Sequence, residues 1–91
     1  RDASRIAAAE AEIRASAAPG ADVTMIRADL SLFADVRRLA HEIAGLTQRI
    51  DLLANNAGGM PARLEMTSEG FEAAFTGNHL GPFLLTELLL P

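Results

Sequence analysis

The chain has 91 residues, of which 49% are hydrophobic and 22% are charged, a composition typical of soluble globular proteins. Its net charge of −4 argues against a nucleic-acid-binding surface, which needs clustered positive charge. It contains no cysteine, lysine, tyrosine or tryptophan. These residues therefore offer no disulfide, no thiolate metal ligand, and no lysine or tyrosine for catalysis.

The two ends suggest a segment of a longer chain. The sequence begins at Arg1 without a methionine or a secretory signal, and it closes on the apolar run Leu88–Pro91. The longest hydrophobic stretch, Leu80–Pro91, is too short to span a bilayer and contains Glu87. We expect a cytoplasmic protein without a membrane span, in which residues 1–91 form the central part of a single domain truncated at both ends.

Three stretches predict helices. Residues 2–17 are rich in alanine, and the helix-breaking pair Pro19-Gly20 follows them. Ser31 is expected to cap a second helix, and Thr67 or Ser68 a third. The second helix is predicted from apolar residues at helical spacing: Val36, Leu39, Ala40, Ile43 and Ala44. The third is predicted to carry one face made of Phe71, Ala74, Phe75 and Asn78.

Two short apolar runs between these helices predict β-strands. Val23–Ala28 contains β-branched residues and follows the Pro-Gly break, and Ile50–Ala54 ends abruptly at a turn-rich loop. Strands that alternate with helices are typical of crossover units and a parallel sheet. The sequence therefore predicts the α/β class.

Polar and small residues follow each predicted strand. Asp29 comes directly after the first strand, and Asn55-Asn56-Ala57-Gly58 comes directly after the second. The carboxyl ends of the strands form the rim at which open α/β sheets bind ligands. A turn at Asp29 with a helix cap at Ser31, or a generic Asn-Gly turn, would explain the same residues without a ligand.

The third predicted helix places an amide on its apolar face. Asn78 lies three residues after Phe75 and seven after Phe71, so we expect its side chain to point inward. Pro82 has no N–H and so leaves the carbonyl of Asn78, four residues back, without its helical partner. That free carbonyl predicts a site for an ordered water, although a kinked core helix with a hydrogen-bonded Asn would look the same in sequence.

The histidines and glycines nearby are less informative. His41 and His79 have no second histidine or carboxylate at ligand spacing, so no metal site is expected. Gly77 and Gly81 form a small-residue pair that predicts close packing against another helix, which could belong to another subunit.

Together, three stretches in this order resemble the short-chain dehydrogenase/reductase family: Ala28-Asp29-Leu30, then Asp51–Gly58, then Asn78-His79-Leu80-Gly81. About 26 residues separate the aspartate from the Asn-Asn-Ala-Gly motif, and about 23 separate that motif from the helix asparagine. The segment from Thr67 to Gly81 most resembles the retinol dehydrogenase-like branch of this family.

The resemblance implies a Rossmann-type doubly wound parallel sheet and a hydride transfer between a nicotinamide cofactor and a small alcohol or carbonyl substrate. It implies that Asp29 and the Leu30 backbone contact adenine and that Asn55–Gly58 lines the cofactor ribose. Asn78 matches the catalytic asparagine whose main-chain carbonyl holds a water in the proton relay. Arg1 matches an arginine that faces the adenosine 2′-phosphate, so NADP is expected ahead of NAD.

The sequence also departs from the family pattern. The glycine-rich phosphate loop would precede Arg1, and the catalytic Ser and Tyr-x-x-x-Lys would follow Pro91, so these residues alone are not expected to catalyse the reaction. In the strand order 3-2-1-4-5-6, the two strands present would be the third and fourth, which are not neighbours. The family's usual histidine after the helix glycine is Pro82 here.

Two other functions remain open on the sequence. A Rossmann protein that binds the cofactor without catalysis, as a sensor or scaffold, would carry the same motifs in this stretch. A small helical interaction module would carry them by accident and would have no nucleotide affinity. For the dehydrogenase, a homo-oligomer formed through the 68–90 helix is expected, because this helix packs between subunits in many members of the family.

Overall fold

The computed structural model describes residues 3–59 and 63–90. Within these ranges the chain forms four α-helices, namely α1 (Ala3–Ser16), α2 (Phe33–Leu46), α3 (Ala73–Phe75) and α4 (Gly81–Leu89). A π-helical turn, Thr76–Leu80, joins α3 to α4 and is called the π turn below. None of these helices is both long enough and apolar enough to cross a membrane.

The first helix agrees with the prediction for residues 2–17. The alanine-rich sequence favours the helical backbone, and α1 ends at Ser16 just before the break at Pro19-Gly20. Gly20 has a φ of +84°, a left-handed conformation that glycine adopts without a steric penalty. The chain therefore makes a turn here, after the end of α1.

The core lies between α2 and α4. Val36 is fully buried, and Ala40 and Leu85 are 7% exposed, so the predicted apolar face of α2 is the face that packs. Further apolar side chains pack against these three: Leu30, Leu39, Ile43, Leu84 and Leu89. Because this core joins the middle of the chain to its last helix, it fixes α4 beside the turn that precedes α2.

Ser31 does not cap α2, so that prediction is wrong. The helix begins at Phe33, and Leu32 occupies the cap position without any side-chain hydrogen bond. The Ser31 hydroxyl instead donates to Asp29 Oδ1 at 2.6 Å. The Ser31 side chain bonds within the short turn 29–31, because Asp and Ser side chains readily form hydrogen bonds to nearby groups in a turn.

The predicted cap of the third helix is also wrong. Helix α3 begins at Ala73, and the carboxylate of Glu72 accepts hydrogen bonds at 2.8 Å from the N–H groups of Ala74 and Phe75. Thr67 belongs to a preceding tight turn, in which its carbonyl accepts from the Gly70 N–H at 3.0 Å. Glutamate is less common than Ser, Thr, Asp or Asn as a cap, and the sequence pattern therefore favoured Thr67 or Ser68.

The helix runs continuously from α3 through the π turn into α4. Thr76 and Gly81, at the two junctions, both have right-handed helical dihedral angles, and the Gly81 N–H donates to the carbonyl of Thr76 five residues earlier. Pro82 follows Gly81 at the start of α4, and its missing N–H deprives the Asn78 carbonyl, four residues back, of its usual donor. The predicted disturbance at Pro82 is therefore a π turn.

The predicted strands are not confirmed. Among the described residues, Val23–Ala28 and Ile50–Ala54 form no sheet, and the single isolated β-bridge joins Met66 to Glu72. A parallel strand needs a neighbour for its backbone hydrogen bonds, and in the order 3-2-1-4-5-6 the third and fourth strands are separated by two others. Leu52 is 86% exposed, whereas a strand inside a parallel sheet is covered on both faces.

Candidate functional site

The side-chain amide of Asn78 is paired with the backbone of Gly59. Its Nδ2 donates to the Gly59 carbonyl at 2.6 Å, and its Oδ1 accepts from the Gly59 N–H at 2.8 Å. This two-bond pairing, called the Asn78–Gly59 clamp below, joins the π turn to the loop after the second apolar run. Together the two hydrogen bonds fix the orientation of the amide. The π turn that carries Asn78 is of a kind that occurs frequently at functional sites.

The predicted burial of Asn78 is wrong. Its side chain is exposed and points to the loop, whereas Phe75, which was expected on the same face, is 54% exposed and stacks on His79 at 5.2 Å. The helical spacing between Phe71 and Asn78 does not apply, because Phe71 lies before the start of α3. The amide is satisfied by backbone groups of the loop instead of by the core.

Gly58 makes the clamp sterically possible. A Cβ at this position would lie 2.9 Å from Asn78 Oδ1, closer than real Cβ atoms approach an oxygen. A Cβ at the next residue, Gly59, would meet no atom within 4 Å. Glycine is therefore required at position 58, because the side-chain amide of Asn78 approaches it closely.

We expect Gly58→Ala to break the clamp and Gly59→Ala to preserve it. The alanine at position 58 would displace Oδ1 and leave the two bonds with poor geometry, at a cost of about 1–3 kcal/mol in the free energy of unfolding. Urea unfolding of the complete protein and amide exchange at residue 59 measure this. Equal losses of unfolding free energy in the two variants would show that the close approach of Asn78 is not the reason for glycine at position 58.

Asn55 anchors the same loop to α4. Its Nδ2 donates to Thr86 Oγ1 at 3.2 Å, and that hydroxyl donates in turn to the Pro82 carbonyl at 2.8 Å. The loop is thus held at both ends, by Asn55 on α4 and by the clamp on the π turn. Asn56, between them in sequence, is exposed.

Asp29 organises the turn before α2. Its Oδ1 accepts from the N–H of Ser31 at 3.0 Å as well as from the Ser31 hydroxyl, and its own N–H donates to Asp35 Oδ2 at 2.8 Å. That donated bond, together with the Arg38 guanidinium, lowers the pKa of Asp35.

The turn at 29–31 lies directly under the small residues of the π turn and α4. A Cβ on Gly81 would be 1.9 Å from the Leu30 carbonyl oxygen, and a Cβ on Gly77 would be 3.6 Å from Ser31 Cβ. The small residue at position 81 is therefore required by a contact within this chain. This corrects the expectation that the pair serves packing against another helix, because its neighbour is a turn.

A cavity of about 780 Å³ lies among these elements. Four of the predicted site residues line this cavity, namely Leu30, Ala57, Gly58 and Asn78. Ser31 and Gly59 line it as well. Asp29, Asn55 and Asn56 are not among its lining residues, and Arg1 lies outside the described residues. The structure thus brings the three motifs to one cavity, although only part of each motif faces it.

Two charged residues in the lining were not singled out from the sequence. Arg5, on α1, and Glu65, just before the bridge to Glu72, both face the cavity. Ile6, the residue after Arg5, also lines the cavity. No group of His, Asp or Glu side chains in the described parts of the chain could hold a metal ion.

The site is thus a cavity bounded by the turn after Asp29, a glycine loop and an amide-bearing helix. The model of the short chain dehydrogenase family matches residues 1–91. The chain belongs to the short-chain dehydrogenase/reductase family. The α/β fold of the Rossmann type is the fold of this family, and its members use a nicotinamide cofactor.

Curated relatives agree with this assignment. The chloroplastic short-chain dehydrogenase TIC 32 A of Brassica napus is 39% identical over 72 residues, covering 79% of this chain and 22% of the relative. Mouse retinol dehydrogenase 12 is 39% identical over 90 residues, covering 99% and 28%. Human retinol dehydrogenase 13 is 47% identical over 62 residues, covering 68% and 19%. The resemblance to the retinol dehydrogenase-like branch is thus confirmed, and the chain spans less than a third of the length of these relatives.

The residues present fit one part of a nicotinamide dinucleotide. The cavity is within the range of about 300–1,000 Å³ that small-molecule sites occupy. Ala57, Gly58 and Gly59 line the cavity, so the part of the loop that faces it carries no side chain larger than a methyl group. Leu30 of the turn after Asp29 lines the same cavity.

Proposed function

We propose that the complete protein is an NAD(P)-dependent oxidoreductase that transfers a hydride between a nicotinamide cofactor and an alcohol or carbonyl substrate, with NADP preferred. The observation that supports this most is the Asn78–Gly59 clamp at the edge of the cavity. The clamp joins the helix residue of one family motif to the glycine loop of another. A structural kink alone would not require that pairing.

In this proposal each motif has a separate task. The Asp29 carboxylate accepts a hydrogen bond from the adenine amino group, and the Leu30 backbone lies against the ring. Asn55, Asn56, Ala57 and Gly58 form the wall beside the ribose. Arg1 binds the 2′-phosphate through its planar guanidinium, which is the basis of the NADP preference.

Asn78 acts through its backbone while its side chain holds the loop. Pro82 cannot donate to the Asn78 carbonyl, so that oxygen is available to a water molecule that relays the proton of the reacting hydroxyl. The clamp fixes the orientation of the π turn and therefore of this carbonyl. The bound nicotinamide supplies or accepts the hydride.

We also propose that the helix formed by α3, the π turn and α4, which was predicted over residues 68–90, joins two copies of the complete protein. Phe75 and Phe83 are 54% and 58% exposed, and both rings stack on His79 between them. These three side chains form an apolar strip on the outer side of the helix. Sedimentation of the complete protein tests whether it is a dimer or larger.

The experiment that tests the proposed function begins with the intact mass of the purified protein. A mass well above 9.6 kDa leaves room for the phosphate loop and the Tyr-Lys pair that hydride transfer needs. We then expect oxidation of NADPH, faster than of NADH, in the presence of an aldehyde or ketone panel. Tight NADPH binding without turnover of any carbonyl would instead favour a catalytically silent sensor or scaffold.

A further inference from the structure

The start of α2 has no cap of its own. Leu32, at the cap position, has an apolar side chain and makes no capping bond. The first N–H groups of any α-helix have no acceptor within the helix. The N–H groups of Phe33 and Ala34 therefore need an acceptor from elsewhere in the chain.

Glu69 supplies that acceptor from 36 residues further along the chain. Its Oε1 accepts from the Phe33 N–H at 2.5 Å, and its Oε2 accepts from the Ala34 N–H at 3.0 Å. Both carboxylate oxygens are used, and a negative charge is favourable at the positive end of a helix. Bonds to an ionised acceptor are stronger than those between neutral groups.

The turn that carries Glu69 is shaped to hold it there. Gly70 has a φ of +88° and donates to the Thr67 carbonyl, while Thr67 and Phe71 exchange two further bonds at 2.7 and 3.3 Å. The ring of Phe71 lies 4.9 Å from the ring of Phe33. Polar and apolar contacts thus join the same turn to the same end of α2.

This link is a second connection between the Asp29 turn and the Asn78 helix, in addition to the close contact of Leu30 with Gly81. On one side, the N–H of Leu32 donates to the Asp29 carbonyl at 3.1 Å, so the Asp29 turn is continuous with the capped end of α2. On the other, the Glu69 turn leads within a few residues to α3, whose N–H at Ala73 donates to the Glu65 carbonyl at 2.8 Å. The helix then continues to Asn78.

We propose that Glu69 is a positioning residue whose carboxylate holds the Asp29 turn and the Asn78 helix in register beside the cavity. This inference rests on the proposed function for its effect on activity. Its structural part, the coupling of α2 to the clamp, can be measured without any substrate.

The test replaces Glu69 by alanine in the complete protein. Amide exchange without nucleotide is expected to become about tenfold faster at Phe33 and Ala34, from the loss of two charge-assisted bonds, and also faster at Gly59. The nucleotide Kd is expected to rise and kcat to fall, each by about tenfold. The effects of Glu69→Gln, which keeps one acceptor oxygen, are expected to lie between those of the wild type and Glu69→Ala. Glu12→Ala, which removes an exposed carboxylate from α1, is expected to match the wild type.

A second variant separates positioning from simple capping. Leu32→Ser, added to Glu69→Ala, places a hydroxyl at the cap position and can satisfy the start of α2 locally. It is expected to restore slow exchange at the α2 amides but not the Kd, kcat or Gly59 exchange. Leu32→Ser alone serves as the control for the lost leucine.

Two results would overturn the inference. One is Gly59 exchange unchanged by Glu69→Ala, and the other is full recovery of Kd and kcat by Leu32→Ser. If Glu69→Ala does not fold, the same measurements on Glu69→Gln decide between these outcomes. If the wild-type protein turns over no substrate, only the proposed function is contradicted. The exchange data would still decide whether Glu69 couples the Asp29 turn to the Asn78 helix.

Discussion

Replacing Asn78 by alanine in the complete protein is expected to lower kcat about a hundredfold, the lower end of what a proton-transfer group contributes. The change removes both bonds of the Asn78–Gly59 clamp, so the carbonyl that would hold the relay water loses its fixed orientation. The nucleotide Kd is expected to change little, because Asn55 still holds the ribose loop on α4 and the contacts proposed for adenine involve other residues. Steady-state kinetics with NADPH and a tight-binding carbonyl substrate measure both quantities.

The control for this variant is Gln48→Ala. It removes an exposed side-chain amide that does not line the cavity and should leave kcat within about twofold. A kcat for Asn78→Ala equal to that of the control would remove Asn78 from the mechanism. A fall in kcat matched by an equal rise in Kd would instead assign Asn78 to loop structure alone.

Gly81→Ala is expected to destabilise the protein by about 3 kcal/mol or more, the upper range for forcing an extra group into a packed interior. Its Cβ would lie 1.9 Å from the Leu30 carbonyl oxygen and 3.1 Å from the Thr76 carbonyl oxygen. Both contacts are with backbone, which cannot rotate away as a long side chain can. The free energy of unfolding of the complete protein, from urea titration, measures the loss.

Gly45 provides the matched control, since it also lies in a helix but has nothing within 4 Å of an added Cβ. Gly45→Ala is expected to be neutral or to stabilise by up to about 1 kcal/mol, because alanine favours the helical backbone. Equal midpoints for the two variants would mean that the backbone at Leu30 moves easily, and the close packing of α4 on the 29–31 turn would then have no energetic role.

The features that the sequence predicted correctly depend on nearby residues. The apolar face of α2 follows from helical spacing, and the core forms on Val36 and Ala40 as that spacing requires. The end of α1 follows from Pro19-Gly20, and a disturbance of the last helix follows from Pro82. Each of these predictions depends only on residues that are close by in the sequence.

The features that the sequence missed depend on distant partners. Nothing local to Phe33 indicates that its N–H bonds to Glu69, and nothing local to Asn78 indicates that its amide turns from the core to Gly59. The strand predictions at Val23–Ala28 and Ile50–Ala54 depend on neighbouring strands for their hydrogen bonds. The motifs were nevertheless brought to one cavity, because their spacing along the chain reflects elements that meet in space.

The π turn has a consequence for how this stretch can change during evolution. A turn closed between residues five apart holds one residue more than an ordinary α-helical turn, so deleting one residue between Thr76 and Gly81 would restore a regular helix. Each residue turns the helix by about 100°, so that deletion would rotate α3 against α4 and carry the amide of position 78 away from the loop. Length changes in this segment should therefore be rejected.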